Sequence, residues 1–84
     1  MTYEQVEGAL QQKLAKERIF QIKFKDRDSI RGLFIKTSDY GELSRKNLWR
    51  IVNEKHIDQY RKSNDESLAR IFSGIEFTRL EILS

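Results

Sequence analysis

From Phe20 to Lys25 apolar and polar side chains alternate without a break: Phe20, Ile22 and Phe24 against Gln21, Lys23 and Lys25. Successive side chains of a strand point to opposite faces, so a period of two describes a strand with one buried and one solvated face. Asp26, Arg27, Asp28 and Ser29 follow as a polar turn, built from residue types that bond their own backbone in such places. The chain then returns through Ile30 to Ile35, a second apolar run interrupted by Gly32. A glycine inside a strand marks a bulge, a bend or the close approach of another backbone. A small sheet that curls into a barrel needs such a position.

The remaining chain must build its core from little. Of 84 residues, 38% are hydrophobic and 35% charged, which predicts one domain with a small core and a charged surface. There is no cysteine and no proline, so disulfides and thiolate metal sites are excluded and an intracellular, cytoplasmic setting is expected. No run approaches the roughly 20 apolar residues of a membrane helix, and no signal-peptide core is visible at the N-terminus. Sixteen Lys and Arg against thirteen Asp and Glu give a formal charge of +3. Phosphate-bearing partners are compatible with that sign, but the basic residues are spread along the chain rather than gathered in one segment.

Residues 2 to 16 carry a helical pattern. Thr2 as N-cap with Gln5 three residues later is a capping box, and Tyr3, Val6, Leu10 and Leu14 recur at spacings of three and four to form one apolar stripe. The stripe is expected to lie on the sheet. Leu43 to Val52, with Leu48, Trp49, Ile51 and Val52, reads as a third strand. Asn53 to Glu66 is polar with only Ile57 and Tyr60 as anchors, and reads as a long loop or the exposed end of an extended hairpin. From Ser67 onward two more strands flank Gly74, with Phe77, Leu80 and Ile82 as apolar positions of the last. The expected fold is mainly β: an N-terminal helix followed by a strongly bent five-stranded barrel over residues 19 to 83.

This order of elements resembles the Sm-like family, which includes the Sm and LSm proteins and bacterial Hfq. The first family motif runs as alternating apolar residues, a turn, an apolar residue, any residue, glycine, and an aspartate some way on. Ile22, Phe24, Ile30, Gly32, Phe34 or Ile35, and Asp39 fall on it without a gap. The second motif, a short apolar strand ending in a basic residue and glycine, is matched in part by Ile71, Phe72, Ser73, Gly74 and Ile75. The resemblance implies an SH3-like, Sm-like barrel capped by the helix. It also implies a homo-oligomer, with the last two strands of neighbouring copies paired around a closed ring. Such a ring removes every exposed sheet edge.

The resemblance further implies single-stranded RNA as a partner. In the family an aromatic or histidine side chain after the motif aspartate stacks on a base, an asparagine reads the base edge, and an arginine before the late glycine supports the pocket. Tyr40 takes the stacking place. Two registers remain open beyond it: one puts Gly41 and Glu42 where the family has methionine and asparagine, and a longer loop puts Asn47 there between Lys46 and Leu48. Glu42 cannot donate an amide hydrogen bond and repels phosphate. Ser73 stands where arginine is typical, and Ile75 where a polar residue is typical. The expected RNA-binding residues are Tyr40 and Asn47, with Lys46 and Arg50 contacting phosphate.

Each of these has a plainer reading beside it. Tyr40 also fits a half-buried aromatic at a strand end, and Trp49 a core or interface residue. His56 has no second histidine or cysteine with which to share a metal. Asp26, Asp28 and Asp39 fall near turns, and neither an acid/base pair, a nucleophile signature nor a phosphate loop is visible. The expectation is a non-catalytic protein without cofactor or metal. Beside the RNA-binding ring stand two alternatives: a structural or protein-interaction module of the same fold, and an unrelated small barrel that binds a peptide through its aromatics.

Overall fold

The computed structural model describes residues 1–11 and 18–83. Helix α1 spans Tyr3–Gln11. Its capping box is formed as expected: Thr2 N–H donates to Gln5 Oε1 at 2.9 Å, and Gln5 N–H to Thr2 Oγ1 at 3.2 Å. The predicted continuation to residue 16, with Leu14 of the stripe, lies outside the described residues. Strand β1 (Phe20–Phe24) follows the alternation, with Phe20, Ile22 and Phe24 buried and their neighbours partly exposed, and β2 (Ile30–Phe34) returns beside it with Gly32 and Leu33 buried.

Beyond β2 two expectations are corrected. Leu43 to Arg45 is not strand: it belongs to a short helix, α2 (Tyr40–Arg45), and the third strand, β3, covers Leu48–Asn53. The stretch from Asn53 to Glu66 is neither loop nor hairpin end. A 3-10 turn over Glu54–His56 leads into helix α3 (Ile57–Ser63). Asn53 Oδ1 accepts from Lys55 N–H at 3.1 Å to start the turn, and Asn64 closes the helix at φ 54°, its N–H donating to Tyr60 O at 2.7 Å. A left-handed residue after the last turn is a common helix stop. Strands β4 (Ala69–Ser73) and β5 (Phe77–Ile82) complete the chain.

The five strands form one antiparallel sheet in the order β4-β3-β2-β1-β5. Strands β4 and β5 lie at opposite ends of that order, yet only the three residues Gly74–Glu76 join them. The sheet therefore curls far enough to bring its two ends near one another. On the inner face Val6, Phe20, Ile22, Phe24, Trp49, Ile51 and Phe77 form the main core, closed at one end by α1. Leu33, Ile35, Val52 and Ile57 form a second cluster on the other face, where α3 packs with Tyr60. Burial of each large side chain contributes roughly 2 kcal/mol. Among the described residues no helix is long and apolar enough to cross a membrane.

Gly32 has a packing reason. Its pairing with Phe20 on one side and Asn53 on the other is in register, so no bulge is present there; the register shift lies between Lys23 and Phe24 of β1. A Cβ at Gly32 would meet Ile51 Cγ2 at 2.5 Å and Val52 O at 3.0 Å. Of the three roles open to a strand glycine, this one is close approach.

Candidate functional site

Tyr40 and Asn47 both meet Trp49 beside α1 and the N-terminus, Arg50 meets Asp39, and each of the three is already engaged by the protein itself. Tyr40 opens α2 with its ring edge against Trp49, centroids 6.0 Å apart, and Lys36 Nζ 5.1 Å from its own centroid. Its hydroxyl donates to Glu7 Oε2 at 2.8 Å. Burial, and then the Glu7 carboxylate, push the phenol well above its usual range.

Asn47 precedes β3 in the left-handed region at φ 59° and is buried. Its Nδ2 donates to Met1 O at 2.9 Å and its Oδ1 accepts from Trp49 Nε1 at 2.8 Å. Its backbone carbonyl accepts from Gly74 N–H at 2.8 Å. Both ends of the carboxamide thus hold the N-terminus and the indole in place. Gly74 lies directly against this group: a Cβ there would clash with Asn47 Oδ1 and come within 2.9 Å of Trp49 Nε1. Trp49 itself is buried in the core and stacks on Tyr3.

Arg50 is engaged by Asp39. The guanidinium donates through Nη2 to Oδ2 at 2.8 Å and through Nε to Oδ1 at 3.3 Å, and Thr37 Oγ1 donates to the same carboxylate. These bonds, that of Arg50 foremost, hold the Asp39 carboxyl down to about 2. Occupied in this way, Asp39 makes no side-chain cap to α2 although it stands at the N-cap. Lys46 is exposed, 3.9 Å from Glu42 one turn earlier in an exposed pair, which contributes little. Of the four expected RNA contacts, Lys46 alone presents a solvated, largely free group.

A cleft lies toward the other end of β3. Arg27, Ile30, Ile51, Asn53, Lys55, His56, Leu68, Arg70 and Phe72 enclose a cleft of about 200 Å³. The β3–β4 register sets Arg70 opposite Ile51 and Phe72 opposite Trp49, and the β1–β2 turn brings Arg27 over Phe24 and Phe72, at 5.0 and 5.6 Å from the ring centroids. Reading the chain linearly missed this grouping, because its basic residues come from three separate segments: Arg27, the pair Lys55 and His56, and Arg70. The placement of Arg70 and Phe72 two apart, on one face of a strand, was the one local signal. Among the described residues no group of three or more His, Asp or Glu is placed to hold a metal.

Comparison with protein-family models, with curated proteins and with solved structures yields no match.

Proposed function

We propose that the chain is an Sm-like, non-catalytic assembly module, a bent barrel whose β4 edge pairs with the β5 edge of the next copy around a closed ring. The observation that carries this reading is the placement of β4 and β5 at the two ends of one sheet, each with an edge unpaired within the chain. Such edges template further pairing unless they are covered. Ile71 on β4 is 48% exposed and Ile75, just beyond it, 63%; both are large apolar side chains that pairing with a second copy would cover. Head-to-tail contacts that close on themselves leave no edge open. Light scattering after size exclusion at micromolar concentration tests this. A closed oligomer that Ile71→Lys dissociates is expected, and a strict monomer overturns the reading.

Single-stranded RNA binding is the second reading, favoured by the exposed Lys36 on the Tyr40 ring and the exposed Lys46 at the end of the helix that Tyr40 opens. On it Tyr40 stacks a base after Lys36 leaves the ring, and Lys46 contacts phosphate; Arg50 would have to share its guanidinium with Asp39, and Asn47 would have to give up an internal bond. Titration of fluorescent oligo-uridine and oligo-adenine at low and moderate salt tests it. Salt-sensitive affinity reduced by Lys46→Gln is expected, and no affinity for either oligomer removes RNA from consideration.

A further inference from the structure

The cleft beside β4 concentrates charge that the chain as a whole does not. Across the sequence basic and acidic residues nearly balance, sixteen to thirteen. The lining of the cleft holds Arg27, Lys55, His56 and Arg70 and no carboxylate. Asp26, Asp28 and Glu54 flank these residues in sequence, but none lines the cleft. Among the described residues no carboxylate lies within ion-pair distance of Arg27, Lys55 or Arg70. Gathering cations without counter-charges raises the local potential, a cost that a bound anion removes.

The cleft also has the parts that recognition requires beyond charge. The Arg27 guanidinium rests on two aromatic rings, which orders a long side chain before any ligand arrives. Asn53 uses Oδ1 to accept from Lys55 N–H, and its Nδ2 has no protein acceptor among the described residues, so a neutral donor stands beside the cations. Ile30, Ile51 and Phe72 supply an apolar floor. An ordinary solvated basic face has neither the concavity nor the floor. The volume of about 200 Å³ is below that of a site enclosing a whole drug-sized ligand and suits the charged part of one.

We propose that this cleft is a phosphate-binding site, taking the phosphate groups of a nucleotide or of a single-stranded nucleic acid backbone through Arg27, Lys55, Arg70 and the Asn53 amide. Forked guanidinium donors match phosphate oxygens in pairs, and two arginines with a lysine fit a ligand carrying more than one negative charge. Neither Tyr40 nor Lys46 lines the site, and it does not depend on either reading of the proposed function.

Calorimetric titration of the intact protein at low salt, with inorganic pyrophosphate, ADP and oligo-uridine as separate probes, tests the proposal. Saturable binding of at least one probe is expected, weakened at least about tenfold by Arg70→Gln and by Lys55→Gln. Lys62→Gln, at an exposed residue of α3 that does not line the cleft, should leave pyrophosphate binding unchanged. Oligo-uridine that displaces pyrophosphate and binds more tightly identifies a nucleic acid backbone as the source; ADP or pyrophosphate binding without such competition identifies a free nucleotide. Both substituted side chains are on exposed residues, and circular dichroism checks that each variant is folded; should one unfold, the other decides. No saturable binding of any probe, or binding that both folded variants retain in full, overturns the proposal.

Discussion

Trp49 Nε1 donates a buried 2.8 Å hydrogen bond to Asn47 Oδ1, and Gly74 packs so closely on the pair that no side chain larger than hydrogen fits. The bond joins the start of β3 to the β4–β5 connection, because the Asn47 carbonyl also accepts from Gly74 N–H. Through Nδ2 and Met1 O the same carboxamide reaches the N-terminus ahead of α1. One asparagine thus ties together three segments remote in sequence. Its geometry gives it a structural task at the position where a base-reading group was expected.

Asn47→Ala should destabilise the protein by about 3 kcal/mol, from an orphaned buried indole N–H and the strain of alanine at positive φ. Urea denaturation measures the loss. A variant as stable as the native chain would return Asn47 to a ligand-reading role.

The glycines divide into two pairs. Gly74→Ala places a methyl group against Asn47 and Trp49, and Gly32→Ala places one against Ile51 and the Val52 carbonyl; overpacking of this kind costs about 1–3 kcal/mol. Nothing lies within 4 Å of a Cβ at Gly8 or Gly41, both in helices, so alanine there should stabilise by up to about 1 kcal/mol. Denaturation midpoints of the four variants should therefore move in opposite directions, two down and two up.

What was legible in the sequence follows from which interactions are local. The alternation from Phe20 to Phe24 and the Thr2–Gln5 box involve neighbours only, and both are present as read. Helix α3 escaped because just two of its residues, Ile57 and Tyr60, reach the sheet, too few for a helical period to stand out. Its stop signal, Asn64 after Arg61 and Lys62, was visible but had no periodic run to terminate. Strand types at Leu48 to Val52 drew the third strand back to Leu43, across a helix whose first residue is held by Glu7 and Trp49 from elsewhere in the chain. At the candidate site the sequence shows residue types but not the partners that engage them. Asp39 and Arg50 are eleven apart and meet only because α2 folds between them. The basic cleft depends on the β3–β4 register, which no single segment encodes.

The Asp39–Arg50 pair predicts an acid transition. Arg50, followed by Thr37, lowers the Asp39 carboxyl from its usual 3.8 to about 2. A carboxyl whose folded value is depressed contributes stability that is present above its unfolded value and lost as pH falls through the folded one. The contribution of Asp39 is therefore complete above about pH 3.8 and disappears toward pH 2. Thermal unfolding across that window should show a steeper loss in the native chain than in Asp39→Asn. Equal slopes would mean that the pair is not formed in solution.

Tyr40 separates a packing role from a stacking one. Burial, then the bond to Glu7, raises its phenol above the usual 10.0. A group whose folded value is raised contributes stability that is full below its unfolded value and lost as pH rises through the folded one. An alkaline spectrophotometric titration should show one tyrosine resisting ionisation while the protein stays folded, and Glu7→Gln should ease its ionisation. Tyr40→Phe removes the hydroxyl but keeps a ring against Trp49, so it should cost about 1 kcal/mol and abolish this resistance. A phenylalanine ring stacks on a base as well as a tyrosine does. Any RNA affinity that depends on stacking at residue 40 should therefore survive Tyr40→Phe. An affinity that falls with the hydroxyl would instead show that RNA binding relies on α2 being held to α1 through Glu7.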